Sequence, residues 1–349
     1  MIPETPRRLN FGFERYSGLY LWAAFIVVFG IWEPSLFLSV STVHTIASQQ
    51  SVAGLLAIAV LVPLVTGTYD LSVGAVANLS TIVVISLQTI DGWNPWESIL
   101  VAIGVSAAIG IVNGFIVIKL RVSSFIATLG MATIVSAFQI IVSGNSQPVP
   151  PISTAWTNLT QVKFLGFQVI FFYLIVIAIF FWWVLNHTPA GRYLYAIGGN
   201  ADAARLSGVK VGNWVWASLI TSATLSGIAG VLFGSLSGPS LTYGQTLLLP
   251  AFAAVFLGST QLKPGRFNLW GTLLAIFVLA TGVIGLSYVT GVQWLNDMFS
   301  GVALIGAVSF AVWRQGRAGR RSREEASSGE DRRSEMPGEL PVVVGESQE

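Results

Sequence analysis

Long stretches of this chain carry no charge, and that limits its fold more than any single motif does. Only 10% of the 349 residues are charged and 53% are hydrophobic, whereas a soluble domain carries about 25% charged residues. The charges are also segregated: eight of the sixteen acids and seven of the eighteen bases fall in residues 314–349. The remaining body, roughly 17–313, reads as apolar runs of about 20 residues, the length that crosses a hydrocarbon core as an α-helix. An all-α integral membrane protein follows, and a globular enzyme is excluded.

Ten spans are predicted, near 18–38, 44–66, 70–90, 97–118, 122–143, 167–186, 212–236, 246–262, 268–289 and 294–313. Basic residues concentrate on the cytoplasmic side of membrane proteins. With both termini inside, the cytoplasmic segments are 1–17, 67–69, 119–121, 187–211, 263–267 and the tail, and they hold every Lys and Arg of the chain except Lys163. Adding or removing one span destroys that pattern. The domain reading is therefore a cytoplasmic N-terminal segment 1–17, a transmembrane domain 18–313, and a charged, disordered cytoplasmic tail 314–349. The apolar run 19–31 is followed by Glu33-Pro34 rather than by a small-residue cleavage pattern, so it reads as a first span and not as a cleaved signal.

The cytoplasmic segment 187–211 holds a run of a different kind, Gly199-Asn200-Ala201-Asp202-Ala203-Ala204-Arg205-Leu206-Ser207-Gly208. Asn200 suits an N-cap, Asp202 suits the first turn of a helix dipole, and Gly208 suits a left-handed C-terminus. So short a helix is unstable alone in water. With a flat Ala203-Ala204 face on a loop between two spans, it is expected to dock against a soluble partner.

A second pattern lies at the inner edge of the membrane, Gly67-Thr68-Tyr69-Asp70-Leu71-Ser72-Val73-Gly74. Gly67 permits a tight turn, and Asp70 is either a cap for the next helix or a functional acid. Gly265-Arg266-Phe267-Asn268-Leu269 repeats the Gly-x-aromatic-Asp/Asn-Leu pattern before a later span, which turn chemistry alone explains. Within the spans the polar residues are almost all uncharged: Gln49, Gln50, Ser51, Asn78, Ser80, Asn113, Thr128, Gln139, Thr221, Ser222 and Thr224. Each can bond one helix to another. As a set, with Gln49, Gln50, Asn78, Asn113 and Thr128 as possible pathway lining, they suit a neutral, hydroxyl-rich solute better than an ion.

The outer loop 144–166 is long, with three prolines and a tryptophan, Trp156, of exposed type; it reads as a connector or as a docking site for an extracytoplasmic partner. There is no cysteine, so disulfides and thiolate metal sites are excluded. His44 and Asp297 fall near the outer boundary and His187 near the inner one, each an interfacial position. No nucleophile–base set or metal cluster is evident, and no Gly-x-x-x-x-Gly-Lys-Ser/Thr occurs. Any ATP chemistry must then come from another chain.

Five motifs occur in order: Asp70-Leu-Ser-Val-Gly74; Val112-Asn-Gly114 with Lys119 after it; Phe125-Ile-Ala-Thr-Leu-Gly130; Gly198-Gly-Asn through Ala203-Ala-Arg-Leu-Ser-Gly208; and Leu257-Gly258 through Gly271-Thr272. Together, over residues 18–313, they resemble the permease subunit of bacterial ribose-type ABC importers, the monosaccharide branch. The resemblance implies that permease's fold, in the bacterial cytoplasmic (inner) membrane. Two permease subunits, alike or different, would form the pathway, and an ATPase with two nucleotide-binding domains would bind ATP and Mg. A periplasmic sugar-binding protein would deliver the cargo, with no cofactor in this chain and no nucleic-acid partner. Asp202-Ala203-Ala204-x-x-x-Gly208 is similar to that family's Glu-Ala-Ala-x-x-x-Gly coupling motif, with Asp in place of Glu. Thr68-Tyr69 in place of Gly-Ile, and Ser259 with Lys263-Pro264 in place of a glycine-rich turn, also depart from it. The competing readings are a permease for a branched-chain amino acid or nucleoside and a secondary transporter, which would need a coupling acid or broken helix at mid-membrane.

Overall fold

The computed structural model describes residues 13–309, apart from 152, 293, 296, 297 and 307. The helices run in chain order as α1 (Phe13–Trp32), α2 (Pro34–Phe37), α3 (Val40–Val65), α4 (Val73–Thr89), α5 (Pro95–Ile118), α6 (Ser124–Ser143) and α7 (Thr154–Gln161). A small hairpin follows, β1 (Lys163–Phe164) and β2 (Phe167–Gln168). Then come α8 (Val169–His187), α9 (Pro189–Gly199), α10 (Ala201–Leu206), α11 (Val211–Ser237), α12 (Tyr243–Thr246), α13 (Leu248–Ser259) and α14 (Leu269–Thr290), and residues 298–306 are helical as well.

Six of these helices, α3, α5, α6, α8, α11 and α14, are long and apolar enough to cross a membrane. Shorter apolar helices fill the expected spans 18–38, 70–90 and 246–262. The span 294–313 and the cytoplasmic ends fall partly or wholly outside the described residues.

The long helices do two different jobs. From Val52 to Val65 helix α3 is apolar all round, and Leu55 to Leu61 have no exposed surface, so it is the central post of the molecule. Helices α5, α6 and α8 bury one face and turn Ile111, Phe115, Ile126, Phe138, Ile141, Val176 and Phe180 outward, as lipid-facing helices do. Lipid supplies no hydrophobic drive between helices, so close approach and hydrogen bonds must hold them. Helix α11 shows both against α4. A Cβ on Gly230 would strike the Ala77 carbonyl, Ser80 Oγ donates to Gly227 O (2.8 Å), and Thr81 Oγ1 donates to Gly230 O (2.7 Å).

The structure corrects the sequence-based expectation at three places. The first span breaks at Glu33, because Pro34 cannot continue α1 and instead starts α2. The eighth expected span is carried by α13 alone, whose twelve residues rise only about 18 Å, with the four-residue α12 ahead of it. Trp156, expected to be exposed, is 2% exposed. Its ring lies against Gly234, and its carbonyl accepts from Ser235 Oγ (2.6 Å), so loop 144–166 is folded down onto α11. The hairpin was not foreseen: Leu165 (φ 51°) and Gly166 (φ 83°) both take left-handed conformations, the requirement of a two-residue type I′ turn.

Candidate functional site

The end of the molecule expected to face the cytoplasm, its inner face, is built around α9 and α10. Asn200 Oδ1 accepts from Asp202 N (3.0 Å) and Ala203 N (2.9 Å), which fixes the start of α10. At its end Gly208 (φ +83°) donates to Arg205 O and Val209 N donates to Ala204 O, both at 3.0 Å, the paired bonds of a Schellman motif. Six residues thus become a rigid helix by capping at both ends.

The two alanines expected to form one flat docking face point in different directions. Ala204 is buried with Ile197, Val215 and Leu219 and pins α10 to the body, while Ala203 faces outward. They are adjacent in sequence, so about 100° of helical turn separates them. The outward surface is therefore Asp202, Ala203, Arg205, Leu206 and Ser207. Leu206 is 91% exposed, and Arg205 Nη1 lies 3.2 Å from Asp202 Oδ1 in the only salt bridge among the described residues. Beside this surface Tyr193, Ser207, Lys210, Asn213 and Trp214 line a recess of about 410 Å³.

Helix α9 grips two inner turns. At the first, residues 66–72, a Cβ on Gly198 would strike the Val65 carbonyl, so the backbones are in contact. At the second, residues 260–268, Tyr195 Oη donates to Phe267 O (2.6 Å), and the Arg266 guanidinium stacks 3.5 Å from the Tyr195 ring centre. Burial pushes the Tyr195 phenol above its usual value of 10.0 and Arg266 pulls it down in part, so its proton stays available for that bond. Lys263 Nζ also donates to Asn186 Oδ1 at the end of α8 (3.0 Å).

The first turn places each residue of the Gly67–Gly74 motif. Gly67 is left-handed (φ +78°), and a Cβ on Gly74 would strike the Gly244 carbonyl at the start of α12. Asp70 is fully buried, and its Oδ1 accepts from Ser72 N (3.0 Å) and Ser72 Oγ (2.6 Å). It therefore closes the turn ahead of α4 rather than serving as the N-cap residue, a position Ser72 occupies. Asn113 Nδ2 on α5 donates to Ser72 Oγ (3.0 Å), and Thr128 Oγ1 on α6 accepts from Leu71 N (2.9 Å).

The polar residues named as possible pathway lining separate into two groups. Asn78, Asn113 and Thr128 are buried and bonded between elements. Asn78 accepts from Gly244 N (2.7 Å) and donates to Leu241 O (3.0 Å), which also accepts from Gln139 (2.7 Å). These bonds satisfy the non-helical backbone between α11 and α12, as such backbone requires at membrane depth. Gln49 instead lines an open polar cup of about 540 Å³ with Ser41, His44, Ser48, Lys163 and Gln168. Gln50, beside it on α3, does not line that cup. The sequence reading missed His44, Lys163 and Gln168 as a group. The helical spacing of 41, 44, 45, 48 and 49 was a usable signal, but the contribution from the hairpin was not.

Residues 42–308 match the family model described as a branched-chain amino acid transport system / permease component. The chain belongs to this permease family. It is 30% identical over 297 residues, 82% of each chain, to the fructose import permease protein FrcC of Rhizobium meliloti. It is 30% identical to the ribose import permease protein RbsC of Bacillus subtilis, over 84% of this chain and 90% of that one. It is 25% identical to the D-allose transport system permease protein AlsC of Escherichia coli, over 88% and 94%. The permease is accordingly a multi-pass protein of the cytoplasmic membrane and a transport subunit rather than an enzyme.

Proposed function

We propose that this permease is the transmembrane subunit of an ATP-driven importer for a small neutral sugar, and that α10 is the element through which a partner ATPase moves it. The observation that carries the reading is α10 itself: a helix of six residues, capped at both ends, pinned by Ala204 and presenting Leu206 to the cytoplasm. A rigid knob of this kind transmits force better than a flexible loop. Relatives over most of the chain are import permeases named for fructose, ribose and allose, which supports a monosaccharide cargo.

Mechanism follows from the connections of α9. Closure of a dimeric ATPase on ATP would displace α10, and α9 would carry that displacement to both inner turns at once, through Gly198 and through Tyr195. The turns end α3 and begin α4 on one side, and end α13 and begin α14 on the other, so the movement reaches the central post. Rigid-body rotation of two permease subunits, alike or different, would then open the pathway to alternate sides. An extracytoplasmic sugar-binding protein would deliver cargo near the polar cup, whose hydroxyl and amide groups suit a polyol. The family description names branched-chain amino acids, and that cargo is the second reading. The cup contains Lys163 and no acidic residue, an incomplete match for a zwitterion.

The test is purification from native membranes with identification of what accompanies the chain. An ATPase with two nucleotide-binding domains is expected, and its release by Leu206→Glu would assign the contact to α10. A chain that purifies alone, with its transport unaffected by Leu206→Glu, would refute the assignment.

A further inference from the structure

The chain between α11 and α12 turns back into the membrane, and three hydrogen bonds set its course along α6. Gln147 Nε2, in the outer loop, donates to Pro239 O (2.7 Å), Gln139 Nε2 donates to Leu241 O (2.7 Å), and Gln245 Nε2 donates to Ser136 Oγ (2.9 Å). As the segment advances from Pro239 to Gln245, its partners step inward from Gln147 to Ser136. Ser136 lies about 10 Å from the outer end of α6 at Ser143 and about 18 Å from its inner start at Ser124. Gln245 is therefore held at mid-membrane depth.

The surface at that depth is polar and uncovered. Thr242, Gln245, Thr246 and, on α6, Thr133 are exposed, and Ser136 is half-buried. Gln245 spends its Nε2 on Ser136, and its Oε1 has no hydrogen-bond partner among the described residues. Thr133 and Thr246 donate to Leu129 O and Tyr243 O of their own helices and keep acceptor lone pairs outward. Leu129 and Leu249 lie exposed on the cytoplasmic side of this patch and Ile140 on its outer side. A different side of α6 is of the opposite character: Ile134 and Phe138 line an apolar recess of about 610 Å³ against α4 and α5, a surface that suits acyl chains. Hydrocarbon cannot satisfy an amide and three hydroxyls, and non-helical backbone at membrane depth is tolerated only against protein or a water-filled cavity. The segment also begins at Ser237, which lines the polar cup, so residues 238–242 join cup and patch.

We infer that Thr133, Ser136, Gln245 and Thr246 form the mid-membrane contact point of the transport pathway, where an uncharged, hydroxyl-rich cargo exchanges hydrogen bonds on its way inward from the cup. The cargo class rests on the sugar reading above; the water-facing character of the patch does not. An amide and hydroxyls without any charge bind a polyol weakly enough to release it, and the apolar residues on either side keep the polar contact local.

The test exploits the absence of cysteine from the chain. Thr133→Cys, Gln245→Cys and Thr246→Cys each place one thiol on the patch, and Ile134→Cys and Phe138→Cys place one on the apolar side of α6. Each variant is reconstituted with its co-purifying ATPase and exposed to a charged, membrane-impermeant thiol reagent, with modification read on the permease chain. Patch thiols should react roughly tenfold or more faster than the two controls, because the reagent attacks a thiolate in water. During ATP-driven uptake with the binding protein present, the transported pentose or hexose should slow that reaction severalfold. Protection by a branched-chain amino acid in place of a sugar would keep the patch as pathway and overturn the sugar reading. Patch thiols that react no faster than the controls, that cross-link between two permease subunits without reacting, or that no transported cargo protects would overturn the inference. The positions are read separately, so one variant lost to misfolding leaves the comparison intact.

Discussion

The two inner turns gripped by α9 share a sequence pattern and differ in what their Asp or Asn holds together. Both have a left-handed glycine, Gly67 at φ +78° and Gly265 at φ +82°, followed three residues later by an Asp or Asn. Asn268 is fully used. Its Nδ2 donates to Gly258 O (3.0 Å), Gln261 O (3.1 Å) and Arg266 O (3.1 Å), and its Oδ1 accepts from Gly271 N (2.8 Å) as the N-cap of α14. Asp70 accepts twice from Ser72 through Oδ1, and Ser222 of α11 faces the same carboxyl. An amide supplies the donors that neighbouring carbonyls need, and a carboxylate does not. The second turn is therefore tied together by one capping amide, whereas the first is held by a buried carboxylate set among the hydroxyl and amide groups of Ser72, Asn113 and Ser222. The grip differs too: backbone against backbone at Gly198, side chain against carbonyl at Tyr195.

Substitutions can break that comparison at graded cost. The largest effect is expected for Gly198→Ala, which drives a methyl into the Val65 carbonyl. A loss of about 4 kcal/mol, or an α9 lifted off the first turn, should follow, read by denaturation and by cross-linking of α9 to the 66–72 turn. Next is Asn268→Ala, which leaves Arg266 O and Gly271 N without their partner and removes one of two bonds from Gly258 O and Gln261 O. About 3 kcal/mol is expected from unpaired buried groups, and an unchanged melting temperature would mean that Asn268 does not hold the second turn together. Gly67→Ala and Gly265→Ala should each cost about 1–2 kcal/mol, and equally, because both are left-handed and neither side chain would meet a close neighbour. Unequal costs would show that the turns differ in backbone and not only in their capping residue. The smallest effect is expected for Tyr195→Phe, about 1 kcal/mol in stability for one hydrogen bond, with the ring still under Arg266. Uptake should fall more than stability does, because this bond joins α9 to the second turn.

Much of this architecture was legible in the chain because membrane physics writes it in long, redundant signals. The placement of the bases and the length of the apolar runs located the helices, and the caps of α10 were readable because Asn200 and Gly208 act through local geometry. The misreadings share the opposite property. Trp156 reads as exposed from the sequence because its burial depends on Gly234 and Ser235, far along the chain. The division of Ala203 from Ala204 depends on what lies beneath α10, namely Val215 and Leu219. The turn between α11 and α12 is supported by amides from Asn78 and Gln139 that local sequence cannot pair. Asp70 and Asn268 read alike as turn residues, and only their three-dimensional partners separate them.

The most direct test of an ATP-driven sugar importer is uptake into proteoliposomes. These would contain the permease, its co-purifying ATPase and the matching extracytoplasmic binding protein, with labelled pentoses and hexoses outside and Mg-ATP inside. Accumulation of one sugar that requires ATP, and that Leu206→Glu abolishes while the complex's fold persists, is the expected result. Accumulation without ATP, driven by a proton or sodium gradient, would contradict it and make the chain a secondary transporter.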